Sequence, residues 1–409
     1  MATAQIAAPA VPVATEHPLR NRYFRLLWMG NSVSWFGDQF YVVAMPWLVL
    51  QLTGSAVSLG TVMMTAAIPR AALMLIGGFA SDRVSARRIM IATAWARTLL
   101  VAAIAALLWT SSLRLWHLYL LAFWFGAADA FYSPAAQTLL PSLLKPEQLP
   151  AANSVSQSTL QMTTLVGPAP AALVVKALGT AWAFFIDAVS FLFIIGALWK
   201  LPDPAVAVPS RKGMLSSIKE GLRHVGSDAA LRSLLIVAAM INFCTAGPMG
   251  IGLAWIAKQQ FGTPMAFAVL TSSLAGGTLL GMILAGLRRH HRRGRLFVLV
   301  SAIIGASIVL IAFCHQLWIL AALLFAMALS AGFLNIQLVS WVQQRVERAI
   351  LGRVMSVLMF AAIGLMPVSL AVAGIVIKWS VTGMFAGAGS LILVVTAMAM
   401  LKRQVTAID

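Results

Sequence analysis

Four ionisable side chains stand inside long apolar stretches of the chain: Asp38, Arg70, Asp129 and Asp187. A charge in hydrocarbon costs ~3 kcal/mol or more, so each is a functional candidate by default. Carboxyl groups withdrawn from water hold protons more readily, which lets them load and release a proton near neutral pH. Such a group can couple proton entry to the release of a cargo. Asp38 lies about halfway along its stretch, beside Asn31, Trp35, Gln39 and Tyr41, and is the leading coupling candidate. The alternative is that it pairs with Arg70 or caps a break in its helix. Asp129 and Asp187 serve the same chemistry or make interhelical hydrogen bonds to Ser, Thr or backbone. Arg70 is a charge partner in a cavity or a side chain snorkelling toward an interface. The second half of the chain carries only amides in such places, Asn335 and Gln337 among them. Trp35 and Trp47 share a stretch with Asp38 and are candidates to line a binding cavity.

The elements that position these residues are membrane helices. The 409 residues are 61% hydrophobic and only 10% charged, with a mean hydropathy of +0.91, too apolar for a soluble globular chain. About 20 apolar residues at 1.5 Å rise cross a ~30 Å hydrocarbon core. Spans are expected near 24–50, 56–79, 89–109, 115–140, 151–175 and 181–199, then 232–257, 265–287, 296–313, 317–343, 354–377 and 382–400. The fold class is therefore all-α integral membrane, with twelve helices in two six-helix bundles. The breaks carry turn chemistry, as at Thr53-Gly54-Ser55, Gly179-Thr180 and Gly262-Thr263-Pro264.

Lys and Arg in short loops stay on the cytoplasmic side. With an inner amino terminus, most of the basic residues fall inside, including Arg83, Arg87, Arg88 and the cluster at 288–295. This distribution accounts for the formal charge of +18 without nucleic acid. Both termini are expected to be cytoplasmic, in a bacterial-type inner membrane. The organisation is a flexible tail at 1–20, a bundle at 21–200, a linker with an amphipathic helix at 201–231, a second bundle at 232–401 and a tail at 402–409. The halves echo each other: Gly126-x-x-Asp129 is matched by Gly332-x-x-Asn335, and Gly167-Pro168 before Lys176 by Pro367 before Lys378. Parallel repeats with a site near the midplane are a recurring transporter plan.

Two further stretches bear on movement. The hinge from Gly77 to Arg88, with Gly78, Asp82, Arg83 and Arg87, lies at a membrane face between two spans. The Gly167-Pro168 run adds a helix kink among small side chains, which permits close packing. Cys244 and Cys314 read as small core residues, and His290-His291 lacks the partners of a metal site, so no metal is expected and the surrounding arginines suit anionic lipid. No Walker loop, zinc spacing or nucleophile elbow is present, so no cofactor and no enzyme chemistry is expected.

The hinge resembles the cytoplasmic loop motif of the major facilitator superfamily, G-x-L-a-D-R-x-G-R-[RK], at Gly78, Asp82, Arg83 and Arg87; it departs at Ala80, Ser85 and Ala86. The stretches Leu19 to Trp28, Gly37-Asp38, Pro46 to Val49, Gly126 to Asn153 and Asp187-x-x-Ser190-Phe191 are similar to the enterobactin-exporter and macrolide-efflux branch, of drug:proton antiporter type. The resemblance implies a secondary active transporter that exports an amphipathic small molecule, such as a drug, siderophore or secondary metabolite, in exchange for protons. Gly167 and Pro168 match the antiporter motif G-P-x-x-G-G, with Ala171 and Ala172 at its glycines. Asp82 is implied to latch onto the start of the eleventh span, where exposed backbone N–H groups favour negative charge. The expected partners are the cargo, protons and membrane lipids, with a monomer as the working unit and no nucleic acid. The alternatives are a lysophospholipid transporter of the same fold and a non-transporting receptor or scaffold.

Overall fold

The computed structural model describes residues 17–81, 83–203, 223, 225–287, 293–346, 354–355, 357–358 and 364–400. Asp82, His290, His291, most of the 201–231 linker and the tail 402–409 lie outside the described residues, as does 1–16 of the amino-terminal segment. All regular structure described is helical. The first half contains α1 (Arg22–Thr53), α2 (Ala56–Ser81), α3 (Ala86–Trp109), α4 (Leu115–Leu143), α5 (Leu149–Val166), α6 (Pro168–Ala177) and α7 (Thr180–Trp199). The second contains α8 (Ala229–Gly247), α9 (Leu253–Gln259), α10 (Pro264–Leu287), α11 (Arg293–Ile311), α12 (Leu317–Arg345), α13 (Met366–Trp379) and α14 (Val381–Met400). Seven helical runs among the described residues are long and apolar enough to cross a membrane, with shorter apolar helices at Leu296–Ile311 and Met366–Trp379. The protein has the all-α membrane fold that the apolar runs predict.

Local sequence explains the breaks. Gly54, Gly179 and Gly262 have φ of 60°, 93° and 66°, a region open to glycine at little cost, and each ends a turn between spans. Gly167-Pro168 divides α5 from α6: Pro168 takes the first helical position of α6, where no N–H is needed. Pro248 does the corresponding work between α8 and α9, where the backbone widens into a π turn over Pro248–Gly252.

Helix packing repeats between the halves. A Cβ on Gly126 of α4 would stand 3.0 Å from the Ala66 Cα of α2; one on Gly332 of α12 would stand 3.0 Å from the Thr278 Cα of α10. Both glycines therefore let backbones touch, as small residues do in membrane helix pairs. The two halves share one apolar core at the end remote from the Arg83–Arg88 loop, where Phe40, Met45, Leu59 and Phe184 join Ile251, Phe267 and Phe385. At the basic end the core divides in two: Leu27, Met90, Leu139 and Ile194 in the first half, and Leu234, Phe297, Trp341 and Val342 in the second. Direct contacts between halves follow the same pattern. Gly60 of α2 meets Gly374 of α13, and Lys258 sits over the Trp47 ring at 5.0 Å. Among the described residues the apolar cores are thus shared at one end and separate at the basic end, with Gln161 of α5 still reaching Met282 of α10 at 3.5 Å.

Candidate functional site

The membrane charges converge from five helices of the first half. Asp38 comes from α1, Arg70 from α2, Arg97 from α3, Asp129 from α4 and Asp187 from α7. Asp129 is the hub. One carboxylate oxygen accepts from Arg70 Nε at 2.9 Å and the other is ion-paired with Arg97. Asp129 is thus ion-paired instead of hydrogen-bonded to Ser, Thr or backbone. Arg70 meets Asp129 in place of the Asp38 partner considered from sequence, and its side chain keeps 52% of its surface. Asp38 is partly buried and lies within the electrostatic reach of Arg97 and Arg70.

Arg97 is the residue that sequence reasoning missed. Its side chain is 6% exposed and its guanidinium carbon stands 4.6 Å from the Tyr132 ring centre, 5.3 Å from Phe125 and 5.6 Å from Phe191. Aromatic faces attract a cation that water no longer solvates. Tyr132 is itself held by Asn31, to which its hydroxyl donates at 2.8 Å. Tyr41 stacks on the back of this box, 4.6 Å from Phe125 with ring planes 7° apart.

Asp187 is fully buried, and neither carboxylate oxygen has a hydrogen-bond partner among the described residues. The neighbouring Ser190 hydroxyl is turned onto Asp187's own main-chain carbonyl at 2.7 Å. Gly37 closes the pocket. A Cβ there would stand 3.2 Å from Asp187 Oδ1 and would strike the Ser190 side chain, so the Gly37-Asp38 and Asp187-x-x-Ser190-Phe191 stretches form one packing unit.

The other candidates divide. Gln39 is buried against Gly167 at the α5–α6 break, so the kink abuts the turn that carries Asp38. Trp35 is partly buried, and Trp47 is buried beneath Lys258. In the second half Gln337 donates to the Ala285 carbonyl at 3.2 Å, tying α12 to α10, while Asn335 is exposed. The structure brings neither into the charge cluster.

The hinge is anchored within its own half. Arg87 donates to the Leu198 and Trp199 carbonyls at 2.7 and 2.9 Å, satisfying the carboxyl end of α7. Arg83 folds over Phe79 at 4.0 Å. Ser85, a departure from the loop motif, caps α3 and donates to Asp203, which also takes Arg88 at 2.9 Å. The Ser85 hydroxyl, with Arg88 beside it, holds the Asp203 carboxyl below the usual carboxylate range. Gly78 has open space around its α-carbon; Gly77 is the glycine on which α4 packs, against Ala130 and Phe131.

The fold and the site define a helical membrane protein of two similarly packed halves with charges gathered in one of them. The chain belongs to the transmembrane secretion effector family of the major facilitator superfamily, whose profile it matches over residues 13–409. It is 25% identical over 350 residues to macrolide efflux protein A of Streptococcus pyogenes, covering 81% of this chain and 84% of that one. It is 29% identical over 295 residues to the multidrug efflux pump Tap of Mycolicibacterium fortuitum, covering 69% and 71%. Among solved structures, the nucleoside transporter NupG superposes with a TM-score of 0.74 at 13% identity, over 93% of this chain and 99% of that one. A bacterial homologue of the iron transporter ferroportin, in an inward-facing state, superposes with a TM-score of 0.72 at 14% identity over the same shares.

Proposed function

We propose that this transporter exports an amphipathic small molecule in exchange for protons, by alternating access between its halves. The observation that carries the reading is the first-half cluster of three acids and two arginines, set among aromatic rings. Two guanidinium charges balance two carboxylates, so the third acid is neutral or unpaired. An unpaired ion in a dry site costs several kcal/mol. The cluster therefore holds one exchangeable proton, and Asp38, partly buried and within the electrostatic reach of both arginines, is the carboxylate placed to meet cargo, its charge setting which of the other two acids holds that proton.

The positive-inside rule assigns the basic end to the cytoplasm. Separation of the two cores at that end then corresponds to a state open to the cytoplasm, ready to load cargo for export. Export of amphipathic compounds fits the names of the efflux relatives. Residues 21–200 and 232–401 act as the two walls, joined by 201–231. One chain supplies both, so a monomer suffices.

The test is transport in proteoliposomes with an imposed pH gradient, using macrolides first and then other amphipathic compounds. Uphill movement of cargo that stops when a protonophore collapses the gradient is expected. Asp38→Asn is expected to remove the pH dependence. Uphill movement that survives the protonophore, or an Asp38→Asn variant with unchanged pH dependence, contradicts the reading.

A further inference from the structure

The cluster contains two complementary orphans. Arg97 Nε is buried and has no hydrogen-bond acceptor among the described residues, although the same guanidinium is ion-paired with Asp129 through Nη2. Asp187 has two buried oxygens with no donor. Both belong to one compartment. Phe191, one helical turn beyond Asp187 on the same face of α7, stands 5.6 Å from the Arg97 guanidinium. Asp187 lies within the electrostatic reach of Arg97 and Asp38. Buried polar groups are nearly always paired, so a donor and an acceptor left over in the same pocket call for a reason.

We propose that Arg97 is a switching residue that exchanges Asp129 for Asp187 as its carboxylate partner during the transport cycle. This rests on the proton-exchange reading and names the residues within it. The groups facing the exchange are Asp38 and Tyr41 on α1, Arg70 on α2, Asp129 and Tyr132 on α4, and Asp187 on α7; α6 adds none at this depth. In the observed arrangement Asp129 is ionised between Arg97 and Arg70, Asp38 balances the remaining positive charge, and Asp187 carries the proton. In the exchanged arrangement Asp129 carries the proton, Asp187 is ionised against Arg97, and Asp38 balances Arg70. One O–H bond forms on Asp129 as one breaks on Asp187, and the net charge of the cluster is zero in both. The aromatic box suits such a movement, because ring faces hold a guanidinium without fixing its in-plane direction. Gly37 keeps the space beside Asp187 Oδ1 free of a side chain.

Infrared spectroscopy of the purified, lipid-reconstituted protein tests this, because a protonated carboxyl has its own C=O stretch. At neutral pH the wild type is expected to show such a band that Asp187→Asn removes. Asp129→Asn is expected to remove it too, because Arg97, released, moves onto Asp187 and ionises it. Asp129→Glu keeps the original pair and is expected to keep the band, which also controls for folding. A band that persists in Asp129→Asn overturns the exchange, as does a wild type without one. The spectra need no transport, so proton-independent efflux alongside the expected bands would count against the antiport reading alone.

Discussion

The two halves of this protein are packed alike and charged differently. Gly126 seats α4 on Ala66 of α2, and Gly332 seats α12 on Thr278 of α10. One turn further on, the first half has Asp129 in a double ion pair, whereas the second has an exposed Asn335. Close backbone packing is required in both because each bundle must build its own wall without a hydrophobic drive between helices in lipid. On the proposed reading the first half carries the coupling chemistry, and the second is the wall it moves against.

A matched pair of effects is expected where the halves are alike. Gly126→Val and Gly332→Val each force a side chain into a neighbouring backbone, a cost of about 1–3 kcal/mol or more. Both are expected to lower the melting temperature in detergent by similar amounts, while Gly78→Ala, with open space around it, leaves the temperature unchanged. A large drop in one half only would break the comparison. Next is the chemical difference. Arg97→Ala removes a buried partner of Asp129, which costs about 3–5 kcal/mol for buried pairs, and is expected to abolish gradient-driven transport. Gln337→Ala in the second half loses its bond to the Ala285 carbonyl, where a single such bond is worth about 1 kcal/mol, and is expected to keep gradient-driven transport. Transferring the acid sharpens the point: Asn335→Asp is expected not to restore transport to Asp129→Asn, because no arginine pairs with it among the described residues. The smallest effect is at the hinge. The folded state holds the Asp203 carboxyl below its ordinary value, so its clasp to Ser85 and Arg88 contributes fully above the ordinary carboxylate range and is lost as pH falls through the lowered value. The protection factor of the Ser85-loop amides, with the intrinsic pH dependence of exchange divided out, is therefore expected to stay flat from pH 8 to about 5 and to fall only in stronger acid.

Much of this site is legible in sequence because a charge inside an apolar run has few explanations. Asp38, Arg70, Asp129 and Asp187 stand out on that ground alone, and they do converge. Arg97 carries the same signal. It lies nine residues beyond Arg88, ~14 Å along a helix at 1.5 Å per residue, too deep for a loop arginine, and is legible on the same ground as the other four. Pairing is not legible, because whether Arg70 meets Asp38 or Asp129 depends on helix rotations that the 3.6-residue period alone leaves free. The Gly126 and Gly332 echo is legible as a pattern, and the backbone contacts give its reason. The π turn after Gly247 is not, since Pro248 alone signals a break without saying how the helix resumes.

Counterflow and uphill transport measured side by side in the same proteoliposomes test the assignment of coupling to the first half most directly. Counterflow needs alternating access and cargo binding but no proton gradient. Asp38→Asn is expected to retain counterflow and lose gradient-driven accumulation. Accumulation at the wild-type level in that variant, with Asp187→Asn behaving the same way, would contradict the claim that the first-half acids couple protons to cargo.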